Sequence, residues 1–199
     1  LGQEFRAYSQ AVRRDIARFE RAKDEMRRLN MGGTAIGTGI NADVQYLKRI
    51  VPNLSKVSGL NLVQACDLID ATQNLDEFVA VSGVVKTCAV NLSKISNDLR
   101  MMSSGPRTGF HEINLPPKQN GSSIMPGKIN PFMCDLVVQI MHQVAANDWA
   151  ITMNASASDL DLASNATVSF FALLQSLEMI GNGFALFSEK CVEGIVANE

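Results

Sequence analysis

Residues 78–102, FVAVSGVVKTCAVNLSKISNDLRMM, place Phe78, Val81, Val85, Cys88, Leu92, Ile95, Leu99 and Met102 at alternating steps of three and four. A hydrophobic repeat of about 3.5 residues sustained in this way predicts a long helix with one apolar seam. The same pattern recurs in Phe170, Leu173, Leu177, Ile180, Phe184 and Phe187, and in Leu1, Phe5, Tyr8, Val12, Ile16 and Phe19. A further seam, Met133, Val137, Ile140, Val144 and Ile151, is interrupted at Asn147 and Asp148. Shorter helical patterns fit residues 43–57 and 64–72, and no segment alternates as a strand does. The expected fold is all-α, an elongated bundle of long helices, with residues 1–199 as a single domain. Phe171, Leu174 and Met179 lie off one seam, and Val79 and Val84 off another. A helix apolar on more than one side needs neighbours on more than one side, which favours an oligomer over a monomeric bundle with wide core faces.

The composition narrows the function classes. The 199 residues carry 18 basic and 20 acidic side chains, with 46% apolar and 19% charged residues. A chain of this length buries a core without covalent staples. The net charge of −2 offers no basic stripe for a nucleic acid, because the basic residues between Arg13 and Arg28 are interleaved with Asp15, Glu20, Asp24 and Glu25. The most apolar stretch, residues 168–187, is broken by Gln175, Glu178 and Asn182, so no membrane span is expected. The first thirty residues are charged, unlike a signal peptide. Cys66, Cys88, Cys134 and Cys191 form no C-x-x-C pair and read as reduced thiols of a cytoplasmic protein. The chain begins at Leu1 inside a helical pattern, which reads as a piece of a longer polypeptide.

Two segments break the helices. Residues 32–39, GGTAIGTG, lack the lysine of a phosphate-binding loop and the preceding strand of a dinucleotide site. Their glycines either let backbone amides approach an anion or join two helices closely. Residues 103–131 form a loop approaching thirty residues, and such loops are usually functional or disordered. Within it, residues 121–131 read GSSIMPGKINP. Gly121 and Gly127 are hinges, Ser122 and Ser123 supply hydroxyls, and Lys128 and Asn130 suit a carboxylate. Asn130 before Pro131 predicts a helix N-cap, whose dipole favours a nearby anion. A flexible linker with capping residues is the other reading. His111 and His142 match no metal-ligand spacing, and Cys134 reads as a buried thiol.

The run GSSIMPGKINP resembles the signature loop of the aspartase/fumarase superfamily, G-S-S-x-M-P-x-K-x-N-P, at every fixed position. GGTAIGTGIN at residues 32–41, Leu1 to Phe5, Ser93-Lys94-Ile95 with residues 97–100, residues 104–107 and Asn147-Asp148 resemble further blocks of the same superfamily. Residues 112–116, EINLP, and 70–73, DATQ, are similar to its aspartate ammonia-lyase branch.

That resemblance implies a lyase that removes ammonia from L-aspartate by anti elimination to give fumarate. It implies Ser122 as the base, and Lys128 and Asn130 as ligands of the substrate carboxylate next to the abstracted proton, with Ser123 and Thr34 as further substrate-binding candidates. It implies no metal and no organic cofactor, a small dicarboxylate substrate, a homotetramer built on the central helices, and a loop that closes over substrate. It also implies that residues 1–199 are the central helical domain of a longer enzyme, expected to be inactive alone because other binding segments lie outside it. The alternatives are a fumarate hydratase and a non-catalytic helical oligomerisation module. Asp135 stands where the family commonly has glutamate, and residues 160–164, LDLAS, depart from a family stretch like F-E-L-N-V.

Overall fold

The computed structural model describes residues 1–198. In chain order it forms α1 (Gly2–Glu25), β1 (Arg28–Leu29), α2 (Val44–Ser58), β2 (Val63–Gln64), α3 (Asp70–Gln73), α4 (Asp76–Met102), β3 (Ile113–Asn114), α5 (Phe132–Ser156), α6 (Ala166–Lys190) and β4 (Val196–Ala197). The four long helices and α2 fall where the apolar periodicity predicts them. The strands are two residues each, too short to leave an alternating pattern: β1 pairs in parallel with β2, and β3 antiparallel with β4.

The chain divides into two compact units. The first comprises Leu1–Arg14, Val85–Ala146 and the residues from Gln175 on. Its core is one apolar cluster of Leu92, Ile95, Leu99, Ile113, Cys134, Val137, Phe187 and Cys191, with Phe5, Tyr8, Val12 and Phe184 packed against it. The second unit comprises Asp15–Val84 and Asn147–Leu174. It buries Val51, Leu75, Val81, Ile151 and Leu173, and the ring of Phe78 meets Phe170 edge-on at 4.7 Å between centroids. The interruption at Asn147-Asp148 is a buried polar contact: Ser82 donates to Asp148 Oδ1 at 2.8 Å, and Asn147 donates to the Ala172 carbonyl at 3.3 Å. Buried polar groups are mostly hydrogen-bonded, and these partners favour one register of the helices.

Three expectations change. Residues 64–72 are not one helix: β2 occupies the start, the Asp67 carboxylate accepts from the amides of Ile69 and Asp70, and only α3 follows. In α1 the seam position after Val12 belongs to Asp15, 3% exposed and held by Arg18 at 2.6 Å, while Ile16 is 56% exposed. In α6 the buried stripe is Ser169, Ala172, Leu173, Ser176, Ile180, Gly183 and Phe187, and the larger Phe170 and Leu177 face out. The reason is close helix approach: a Cβ on Gly183 would lie 2.6 Å from Ile140 Cδ1. Among the described residues, Asp76–Met102 and Ala166–Gly194 are long and apolar enough, by length and composition alone, to cross a membrane. Within the fold α4 buries Val85, Cys88, Leu92 and Leu99, as a core helix does.

Truncation of Leu99, 1% exposed, removes a filled core position. Leu99→Ala is expected to cost about 2–5 kcal/mol in urea unfolding. Val57→Ala, at an 85% exposed site, is expected to change stability by less than about 0.5 kcal/mol.

Candidate active site

The loop of residues 121–130 is a closed hairpin in the first unit. Asn120 and Ile129 form an antiparallel bridge, and the Gly121 amide donates to the Lys128 carbonyl at 2.6 Å. The turn closes at Gly127, where φ is 77°, and the Lys128 amide reaches the Met125 carbonyl at 3.3 Å. Glycine is required at 121 for space: a Cβ there would sit 2.8 Å from Asn130 Oδ1 and 2.9 Å from Lys128 Cγ.

Ser122 stands at the base of this hairpin. Its Oγ accepts from the backbone amides of Ile124 at 3.1 Å and Met125 at 3.2 Å. Two donors on one hydroxyl oxygen favour its negatively charged form. Lys128 is exposed, and its ammonium has no ion-pair partner among the described residues. Asn130 donates to the Gly121 carbonyl at 3.5 Å. The hairpin therefore gathers Ser122, Ser123, Lys128 and Asn130 on one short exposed segment. The two amide donors were not anticipated individually, although the spacing of a serine two and three residues ahead of them is that of a hydroxyl turn.

Asn130 is not the N-cap of α5. The Pro131 carbonyl accepts from Cys134 and Asp135, so Pro131 takes that position and Asn130 lies one residue earlier. Its side chain is consequently turned to the loop rather than committed to the helix. Asp135 lies 3.4 Å from Arg100 Nη1, and Arg100 also donates to Asn97 at 3.0 Å. The shorter carboxylate at 135 thus has a cation within reach.

Thr34 belongs to the second unit and has φ 60°. It lines a cleft of about 410 Å³ there with Asn30, Thr72, Glu77 and Phe78 among others. The glycines around it serve chain geometry. Gly32, Gly37 and Gly39 have positive φ, and the amides of Gly33 and Gly39 are bonded to Asn30 and Gly33 carbonyls. Those amides are spoken for within the turn. Leu160 to Leu162, where the chain departs from the family pattern, is a surface turn closed by a bridge between Asp159 and Leu162. His111 and His142 are exposed.

A second polar group in the first unit involves Tyr8, whose hydroxyl donates to Asp98 Oδ2 at 2.8 Å. Lys94 pairs with the same carboxylate and lies 5.2 Å over the Tyr8 ring. Burial, and then the bond to Asp98, pushes the Tyr8 phenol above its ordinary value, so it stays protonated as the donor.

A family model described as "Lyase" matches residues 1–146, and the chain belongs to that lyase family, of the aspartase/fumarase superfamily. Over all of its length the chain is 51% identical to the aspartate ammonia-lyase of Bacillus subtilis (strain 168) and spans 42% of that protein. The crystal structure of a fumarate lyase:delta crystallin from Brucella melitensis bound to cobalt matches the whole chain with a TM-score of 0.96 at 44% identity, over 43% of its own length. A recombinant class II fumarase from Schistosoma mansoni matches with a TM-score of 0.88 at 29% identity, over 44% of its length. The chain therefore spans less than half the length of the relatives it matches.

The crowding at Gly121 makes the hairpin neck sensitive to one methyl group. Gly121→Ala is expected to open it, raising amide exchange across residues 121–130 at least about tenfold, the equivalent of about 1.4 kcal/mol. Amide hydrogen exchange followed by mass spectrometry measures this, and exchange confined to its original rate contradicts the tight neck.

Proposed function

We propose that this chain carries the catalytic loop of a carbon–nitrogen lyase that eliminates ammonia from L-aspartate to give fumarate. The observation that supports this most is the Ser122 Oγ accepting two loop amides, at 3.1 and 3.2 Å. In this reading the Ser122 alkoxide, stabilised by those donors, takes a proton from the substrate carbon next to the side-chain carboxylate. The electron pair left behind spreads into that carboxylate, which then carries two negative charges. Lys128 and Asn130 offset that charge, and Ser123 and Thr34 are further substrate contacts. The adjacent C–N bond then breaks, its electron pair leaving with nitrogen as neutral ammonia while the new double bond forms. Ser122 ends protonated, and charge balances without metal or organic cofactor.

The enzyme reading extends to a homotetramer whose central helices share one bundle. It is supported by the exposed Phe171, Leu174 and Leu177 on α6 and Trp149 on α5, large apolar side chains that the single chain leaves open to solvent. Residues 1–199 act here as the central helical domain, and catalysis needs segments beyond it. A fumarate hydratase, the second reading, is favoured by the match to a class II fumarase and uses the same carbanion with water as leaving group.

The test is an ultraviolet assay for fumarate, with aspartate and malate offered separately to the natural full-length protein and to the 199-residue chain. Aspartate turnover by the full-length protein alone is expected, and malate turnover in its place would transfer the assignment to the hydratase. Ser122→Ala is expected to lower kcat by about 10²–10⁴-fold and to abolish the rise of rate with pH, because the active form is the deprotonated one. Lys128→Met is expected to lower kcat/KM by about 10²–10³-fold. An unchanged rate in Ser122→Ala would reject Ser122 as the base. Light scattering of the full-length protein is expected to give a tetramer mass, and Phe171→Glu with Leu174→Glu to reduce it.

A further inference from the structure

Cys134 and Cys191 meet inside the first unit with their Sγ atoms 4.0 Å apart. Cys134 is in the first turn of α5, three residues after Pro131, and Cys191 directly follows α6. Both are buried in the apolar cluster, 1% and 2% exposed. A small cleft of about 10 Å³ reaches them, lined also by Lys118, Asn130, Pro131 and Lys190. That is about the smallest space that holds one water molecule. Disulfide formation requires the sulfurs to close from this separation to about 2.05 Å.

We propose that Cys134 and Cys191 form a peroxide-specific modification site, a buried dithiol that hydrogen peroxide converts to an intrachain disulfide. The narrowness of the cleft selects the oxidant: hydrogen peroxide, water with one further oxygen, is among the smallest two-electron oxidants, whereas a bulky disulfide such as oxidised glutathione does not fit. With Cys134 as the donor of the shared S–H···S contact, the Cys191 thiol is lowered from its ordinary value, which makes Cys191 the first nucleophile. Its thiolate attacks one peroxide oxygen, the O–O bond breaks, and water leaves once the departing hydroxide takes up a proton. Cys191 is then a sulfenic acid. The Cys134 sulfur displaces its hydroxyl, the S–S bond forms, and a second water leaves with the Cys134 proton. In sum two thiols and one hydrogen peroxide give one disulfide and two waters. The bridge ties the end of α6 to the start of α5, and Asn130 of the hairpin lines the same small cleft as the two cysteines. The chemistry of the pair does not depend on the lyase reading, and its test does not use turnover.

The experiment treats the folded chain with hydrogen peroxide or with oxidised glutathione, alkylates the remaining thiols after denaturation, and maps the peptides by mass spectrometry. The exposed Cys66 serves as an internal control that each oxidant is active. Expected with peroxide is a linked peptide pair containing Cys134 and Cys191, lighter by two hydrogens and separated by dithiothreitol. Oxidised glutathione is expected to modify Cys66 and leave the pair alkylatable. Cys134→Ser is expected to leave Cys191 as a sulfenic acid trapped by dimedone, without a disulfide. The proposal is overturned if the pair stays fully alkylatable at a peroxide dose that oxidises Cys66, if either thiol instead links to Cys66 or Cys88, or if oxidised glutathione modifies the pair equally well.

Discussion

The burial of Ile113 and Cys134 in one apolar cluster is the constraint on which the candidate site depends. Each is 1% exposed, and they bracket residues 114–133, the part of the long loop that carries the hairpin. Ile113 is carried by β3, which pairs with β4, and Cys134 by the first turn of α5. Leu92, Leu99, Val137 and Phe187 complete the cluster. With both ends fixed in a packed interior, the segment between them is free to be exposed without drifting away. Burial worth about 1.5–3 kcal/mol per large apolar side chain supplies that anchorage. The hairpin of residues 121–130 then needs only its own neck to hold shape, the Gly121–Lys128 bond and the Asn120–Ile129 bridge.

The helices were legible in the sequence because their seams run for many turns, and α4 buries its predicted seam from Val81 to Leu99. What failed was the facing of α6. Side-chain size points Phe170 and Leu177 inward, yet packing turns Ser169, Ala172, Ser176 and Gly183 to the interior. Small residues let two backbones approach, and the gain in contact outweighs the burial of a larger ring; periodicity alone does not register that. The same holds at Asp15, where an i to i+3 ion pair with Arg18 takes a seam position from Ile16. Residues 64–72 failed for a local reason, since the Asp67 carboxylate captures two amides that a continuous helix would have used.

The site was legible at the level of the motif. GSSIMPGKINP brought Ser122, Lys128 and Asn130 together in sequence, and the hairpin keeps them on one segment. The motif did not reveal what holds the Ser122 oxygen, because backbone amides carry no letter in a sequence. Nor did it reveal that Asn130 stands one residue before the N-cap Pro131, which leaves its side chain to the loop. Thr34 lies in a turn whose glycines answer to positive φ and whose Gly33 and Gly39 amides are already bonded within it. Cys134 is the clearest case of a residue whose partner is invisible in sequence, because Cys191 lies 57 residues away, just past the end of α6.

The central claim is that two loop amides hold the Ser122 oxygen in a form ready to become an alkoxide. Nuclear magnetic resonance of the Ile124 and Met125 amide protons, compared between the native chain and Ser122→Ala, tests it most directly. The account predicts that both resonances move upfield and that both amides exchange faster once the acceptor oxygen is gone. Unchanged shifts and exchange rates at both positions would show that the amides do not bond to Ser122 and would contradict the claim.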